Sequence, residues 1–504
     1  MSPLLDQGVL ALYYVVLGTL ALYGMHRLLL LVLYYRHHRT PLADPAEPVE
    51  WPRVTVQLPL YNERYVACRL VEAVCRLDYP RDRLEIQVLD DSTDDTTELL
   101  AETVEQFRRL GVDVHHIHRR DRDGFKAGAL AAGFEIAKGE LLAVFDADFL
   151  PRSDFLRRTV PHFADPRVGM VQARWEHLNR DYSLLTRIQA MFLDAHFLIE
   201  HFARNRSGRF FNFNGTAGIW RRRAIEDAGG WQHDTLTEDL DLSYRAQLAG
   251  WRFLFLPEVA APAELPVEVN AFLRQQNRWS KGSIQTARKL VGPVLRSKVP
   301  WTVKLEAMVH LTNNFAYPLM VLLSLLIFPA MVLRRDVDPR LLMTIDLPLF
   351  FGATVAVLTY YVVSQMVQGG RWTEQLKRLP ALLGLGIGLS VNNARAVVGG
   401  LFQDGGVFER TPKYKIESGA DDWRSKQYRA AKSRPLVIEG LLAFYFACCF
   451  VAAWRMGLWM SMPFLYLFLH GYTYIFLLSL DAAGLLPRDG RTSEPLPVTA
   501  SDGN

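Results

Sequence analysis

Apolar positions fall into three regimes along the chain. From Gly8 to about Tyr35 they run almost without interruption, broken by His26 and Arg27, and end at Arg36-His37-His38-Arg39. A run of this length predicts a membrane-length helix. Its positive charge follows the apolar stretch instead of preceding it, so it reads as a retained anchor over residues 1–40 and not as a cleaved leader. Only Asp6 precedes it as a charge, which by the positive-inside rule sets the amino terminus outside and Arg36 and Arg39 in the cytosol. Residues 41–53, rich in proline and acidic groups, read as a linker.

From residue 54 the pattern changes to short apolar runs at 54–58, 84–89, 112–117 and 141–145, with helical stretches between them. Strand alternating with helix predicts an α/β domain over 54–283, built on a parallel sheet flanked by helices. Ligands bind such sheets beyond the carboxyl ends of the strands.

The third regime, 284–480, opens on a basic amphipathic stretch (Lys281, Arg288, Lys289, Arg296, Lys298), expected to lie on a membrane surface. Apolar runs follow at about 305–333, 347–365, 379–402, 436–454 and 458–480. If all five crossed, the Arg- and Lys-rich stretch 403–434 would face outward. The run 379–402, rich in glycine and bearing Asn392, Asn393 and Arg395, is therefore expected to lie in the interface or re-enter it. Five spanning helices remain, with the amino terminus out and the short tail 481–504 in; Arg334, Arg335 and Arg340 then fall in an external loop, against the rule. Asn313, Asn314 and Glu439 fall at membrane depth and point to an aqueous path, whereas His310 is expected at headgroup level.

Composition agrees with a soluble domain plus membrane segments: 504 residues, 50% hydrophobic and 22% charged. A net charge of +4 gives no indication of a nucleic-acid partner. The four cysteines (Cys68, Cys75, Cys448, Cys449) have no metal-type spacing and read as reduced packing residues. Arginine far exceeds lysine, which points to a GC-rich bacterial genome and hence a bacterial inner membrane.

The chemistry lies at the strand ends and just after them. Asp146 and Asp148 sit two apart where a strand ends, a spacing that lets both reach one divalent cation such as Mg2+, whose shell is completed by phosphate oxygens and water. Asp90 and Asp91 end another strand, and Lys126 follows in an R-D-G-F-K-A-G stretch, so a nucleoside diphosphate fits better than a solvated acidic turn. Asn214-Gly215-Thr216-Ala217-Gly218 offers close backbone approach. Thr237-Glu238-Asp239 offers a carboxylate able to take a proton, or equally an amino-terminal helix cap. Gln275, Arg278 and Trp279 fall at i, i+3 and i+4 and share one face of a helix, giving a guanidinium for diphosphate and an indole platform for a sugar.

In that order, the acidic pair, D-x-D, T-E-D and Q-x-x-R-W resemble the motifs of processive family-2 glycosyltransferases of the cellulose synthase and cellulose-synthase-like superfamily, over about residues 54–480. The resemblance implies a GT-A fold, inverting transfer from a nucleoside diphosphate sugar with Mg2+ or Mn2+, and a polysaccharide moved through the enzyme's own membrane channel. It implies that Asp90 and Asp91 contact base and ribose, that Lys126, Asp146 and Arg278 hold the donor, with Asp146 and Asp148 at the metal, and that Asp239 is the base. Asn214, Gly215, Thr237, Glu238 and Trp279 would meet the acceptor, with Gln275 completing its motif. Phe408-Glu409-Arg410-Thr411-Pro412-Lys413 resembles the family's gating loop, F-x-V-T-x-K, with Arg410 in place of valine. The F-N-G-T-A-G and F-E-R-T-P-K stretches look most like the plant mannan and xyloglucan-backbone synthases, so the donor is UDP-glucose or GDP-mannose and the acceptor a growing glycan. The tail is too short for a cyclic-dinucleotide-sensing domain. The rival within the superfamily adds one sugar to a lipid, as ceramide glucosyltransferases do. A transporter or silent scaffold leaves the ordered carboxylates unexplained.

Overall fold

The computed structural model describes residues 3–40, 42, 45–418, 421–428 and 436–485; the tail beyond 485 and parts of the linker and of the basic segment 403–434 lie outside the described residues. Between two sets of long apolar helices lies a sheet of seven strands: β1 (Val54–Leu60), β2 (Leu84–Asp90), β3 (Val114–His118), β4 (Leu141–Val144), β5 (Val168–His177), β6 (Gly218–Arg221) and β7 (Arg252–Ala263). Their order is β3-β2-β1-β4-β6-β5-β7. The first four are parallel, β6 runs antiparallel to both neighbours, and β5 pairs parallel with β7. Helices cover both faces, so Val54 through Leu58 and all of β2 and β4 are buried; polar members of β1 and β2 bond to each other, Thr55 to Glu85 at 2.6 Å and Gln57 to Gln87 at 3.0 Å.

The four strands expected from the sequence are the four parallel ones. The other three escaped because their signals are weak: β6 has four residues, and β7 contains Pro257 and Pro262, which remove ladder donors.

Among the described residues, six helices are long and apolar enough to cross a membrane: Leu4–His37, Trp301–Leu333, Arg340–Met366, Trp372–Phe402, Val437–Arg455 and Trp459–Ala482. Trp372–Phe402 is one unbroken helix of 31 residues, without the break that re-entry needs. Its ends meet the same side of the molecule. Before its first turn, Gly370 donates its amide to Gln365, whose side chain donates to Asp194 of the sheet domain. After its last turn, Gln403 accepts from Lys281 at 2.9 Å.

Within the basic stretch after Trp279, three cations of the helix Val269–Arg296 turn to protein: Lys281 to Gln403, Arg288 to Asp404 at 2.9 Å, and Lys289 to Asp234 and Asp241 at 2.8 and 3.0 Å. Arg296 and Lys298 are exposed. His310 is buried, bonded to the Tyr244 hydroxyl at 2.8 Å.

Val269–Arg296 positions the site by a single close approach. A Cβ on Gly282 would lie 2.8 Å from the Thr237 amide and 2.7 Å from its Cγ2. Gly282→Ala is therefore expected to push the helix off the T-E-D turn and cost about 1–3 kcal/mol. A melting temperature and activity equal to those of the unaltered protein in detergent would refute that packing role.

Candidate active site

Beyond the carboxyl ends of the parallel strands lies a cavity of about 160 Å³. Tyr61 and Glu63 reach it from the end of β1, Asp91 from β2, Lys126 from the helix Phe125–Ile136, and Asp146 and Asp148 from β4. Asn214, Gly215 and the Thr237-Glu238-Asp239 turn form another wall. Gln275, Arg278 and Trp279, on one face of Val269–Arg296 as their spacing requires, form a third.

Charge is matched closely around it. Lys126 lies 2.5 Å from Asp146 and donates to the Gly215 carbonyl at 2.9 Å. Burial opposes the Lys126 ammonium, but Asp146, Glu238 and Asp239 outweigh it and hold the amine above its ordinary range. Burial and the Glu238 carboxylate raise Asp239 above the usual carboxylate range, against Lys126, the Leu240 amide and Arg278. Gly215, at φ 79°, explains the approach of these groups: a Cβ there would sit 3.0 Å from Asp239 Oδ2 and 3.3 Å from Lys126 Nζ. Thr237 stands at the cap position of Glu238–Leu248 but does not cap through its side chain; its hydroxyl is 3.2 Å from that of Thr286.

Asp146 and Asp148 face one cavity and each meets an ammonium, Asp148 that of Lys413 at 2.6 Å. Two hard carboxylates that already attract cations fit a divalent metal completed by phosphate oxygens. No group of three or more His, Cys, Asp or Glu side chains forms a metal cage among the described residues.

The acidic pair after β2 divides. Asp91 lines the cavity, gripped by Arg119 at 2.6 and 2.7 Å. Asp90 is fully buried and turned away from the cavity, toward His116 at 3.0 Å and His118 at 3.2 Å. Although burial raises it, hydrogen bonds from His116 and Ser92 hold it below the ordinary carboxylate range. Asp90 thus braces the strand end and does not line the cavity.

The 408–413 loop closes the cavity. Arg278 lies 4.1 Å over the Phe408 ring, Arg410 pairs with Glu63 at 2.9 Å, and Thr411 is buried beside Lys413. Two contributors had no role assigned from the sequence, although Glu63 lies in the polar stretch after the first strand and Arg122 opens the R-D-G-F-K-A-G stretch. Glu63 is pushed up to about 8 by burial, with Arg410 opposing, and Arg122 stacks 3.3 Å over Tyr61. Their partners are distant in the chain, so local spacing gave no signal.

A second cavity, of about 1020 Å³, adjoins the first. Asn214, Thr237, Asp239, Gln275 and Trp279 line both. From there it runs past Asn313 and Asn314, among the long apolar helices, to Arg334, Asp346 and Trp459.

A mixed seven-stranded sheet with carboxylates gathered beyond its parallel strand ends is the arrangement of the GT-A fold, here set among membrane-length helices. Residues 52–282 match the family described as Glycosyltransferase like family 2. Glucomannan 4-beta-mannosyltransferase 2 of Arabidopsis thaliana is 44% identical over 270 residues, 52% of this chain and 51% of that one. Glucomannan 4-beta-mannosyltransferase 1 of Cyamopsis tetragonoloba is 39% identical over 318 residues, 61% and 60% of the two chains. The chain thus spans roughly half to three-fifths of these relatives' lengths. Among solved structures, a mannosyltransferase from Pyrobaculum calidifontis, in complex with GDP-Man and Mn2+, superposes with a TM-score of 0.55 at 22% identity, covering 77% of this chain and 99% of that one. These curated relatives are plant proteins, so the bacterial source inferred from arginine excess finds no support in them.

Replacing Arg410 by Met strands the buried Glu63 carboxyl and loosens the loop. Tryptic cleavage after Lys413 and Lys415 is then expected to accelerate at least about tenfold; unchanged protection would show that the pair does not hold the loop.

Proposed function

We propose that this protein is a membrane-embedded inverting mannosyltransferase that extends a β-linked glycan from GDP-mannose. The observation that carries this reading is the position of Asp239, which lines both the carboxylate-rich cavity and the larger one beside it. The names of the curated relatives favour mannose over glucose, and the GDP-Man and Mn2+ of the structural neighbour favour that donor with Mn2+ or Mg2+. Asp146 and Asp148 would hold the metal, which when bound neutralises the diphosphate as it leaves.

The chain's own groups then act in order. Tyr61 and Asp91 receive the nucleoside, and Lys126 and Arg278 face the diphosphate with positive charge. Trp279 gives the acceptor sugar a flat apolar face. Asp239 takes the proton from the attacking hydroxyl, while its burial beside Glu238 raises its basicity for that task. The 408–413 loop excludes water.

The large cavity supports passage of a hydrated polymer among the helices. The placement of both ends of Trp372–Phe402 beside catalytic-domain residues supports five crossings rather than six, with the catalytic domain and the 408–413 loop on the cytosolic side. Domain limits of 54–283 for the catalytic part and 284–480 for the membrane part follow from this reading.

Purified protein in lipid vesicles with GDP-mannose and Mn2+ is expected to yield a mannanase-digestible polymer, with UDP-glucose turning over slowly or not at all. A solvent-extractable monoglycosylated lipid would refute the polymer reading. Asp239→Asn should lower turnover by at least about 100-fold with folding intact.

Because the base must be ionised and its pKa is raised, kcat/KM should climb with pH through a limb above the ordinary aspartate range of about 4. A limb at or below that range would remove Asp239 from the role.

A further inference from the structure

Between the helix Leu184–Ala195 and the short helix Phe202–Arg206 the backbone widens into a π-helical turn, His196–His201. Such turns cost regular hydrogen bonding and recur at functional sites. Here the widening presents two imidazoles, 4.3 Å apart between ring centres, to the F-N-F-N-G segment. His201 Nε2 donates to the Asn212 carbonyl at 2.9 Å. His196 Nε2 lies 2.9 Å from Asn214 Nδ2, and its Nδ1 lies 3.0 Å from Glu200 Oε2.

The direction of each bond in this chain follows from the first. A carboxylate only accepts, so His196 Nδ1 carries the proton and Nε2 carries the lone pair. Asn214 must then offer its NH2 to that lone pair, which points its carbonyl oxygen the other way. That oxygen, Oδ1, is buried without a bonded donor among the described residues, and the neighbouring His201, a neutral ring whose one proton goes to the Asn212 carbonyl, has none to give it. Buried acceptors rarely stay unsatisfied, because leaving one bare forfeits its hydration. Asn214 lines both cavities at their junction, and its backbone N–H donates to Gln172 Oε1 at 3.0 Å.

We infer that His196 and Glu200 are a positioning pair that fixes the Asn214 side-chain carbonyl as acceptor for a hydroxyl of the incoming glycan, an inference that rests on the acceptor reading above. Burial, with His201, Arg204 and Arg27 nearby, keeps His196 well below its usual range and hence neutral. Glu200 is held in turn by Arg204 at 3.3 Å, by the Tyr360 hydroxyl at 3.0 Å and by Arg27 of the amino-terminal helix. His196 and Glu200 do not touch the sugar; Asn214 does.

The test uses the full chain in lipid nanodiscs with GDP-mannose, Mn2+ and added mannohexaose, reading the KM of each substrate separately. Transfer by the unaltered protein is the control: without it the mannosyltransferase reading fails, whatever position 196 does. Given transfer, His196→Leu is expected to raise the mannohexaose KM about tenfold and leave that of GDP-mannose within twofold. His196→Gln, whose side-chain carbonyl can accept from Asn214, should restore the acceptor KM. Adding His196→Leu to Asn214→Ala should cause no further loss, since the two act as one unit. A normal acceptor KM in His196→Leu, an equal rise in both KM values, or additivity of the two substitutions overturns the proposal. Should the leucine variant not fold, Asn214→Ala decides alone, because it leaves the His196–Glu200 pair in place: a normal acceptor KM there overturns the assignment.

Discussion

Carboxylates crowded into a water-poor cavity are costly unless cations come with them, and this constraint organises the molecule. Asp146, Asp148, Glu238, Asp239 and Glu63 share one small space, and their counter-charges come from remote parts of the chain. Lys126 arrives from a helix of the sheet domain, Arg278 from Val269–Arg296, and Arg410 and Lys413 from the loop after Phe402. Neutralising the acidic cluster therefore requires sheet, linking helix and post-helical loop to assemble together. The same matching leaves the site ready for a ligand that brings both negative phosphate and a cation.

Much of this was legible in the sequence wherever the signal is local. The four parallel strands announce themselves as apolar runs, and D-x-D, T-E-D and Q-x-x-R-W fall where those strands and the following helices place them. The spacing of Gln275, Arg278 and Trp279 was enough to put them on one wall of the cavity. What stayed hidden depends on partners far apart in sequence. Arg410 looked like a departure from the gating-loop pattern, and only the fold reveals Glu63, from the other end of the chain, as its partner. The wide turn at His196–His201 has no periodic signature, so neither histidine stood out. The basic residues of Val269–Arg296 have the composition of a membrane-surface helix, yet protein carboxylates and carbonyls claim Lys281, Arg288 and Lys289. Tertiary partners overrode the composition there.

The catalytic and membrane parts meet through buried charge instead of a flexible tether. Glu306, at the foot of Trp301–Leu333, receives Arg204 at 2.9 Å and His26 at 3.0 Å, and Glu200 receives Arg27. His26 and Arg27, which interrupt the first apolar run, are thus accounted for by carboxylates of the catalytic domain and of a later helix. Buried pairs of this kind specify orientation more than they add stability. They fix the rotation of the first helix about its axis relative to the cavity junction.

The separation of these partners along the chain has a consequence for biogenesis. Leu4–His37 is made well before its partners, which lie near Ala195–Ala203 and, among the long apolar helices, begin only at Trp301. At roughly 5–20 residues per second, synthesis of the intervening segment takes tens of seconds. Until Glu200 is made Arg27 has no carboxylate partner, and until Glu306 is made His26 has none. Leu4–His37 must therefore wait with its cation provisionally served by lipid headgroups or water, until the completed sheet domain and the later helices reclaim it.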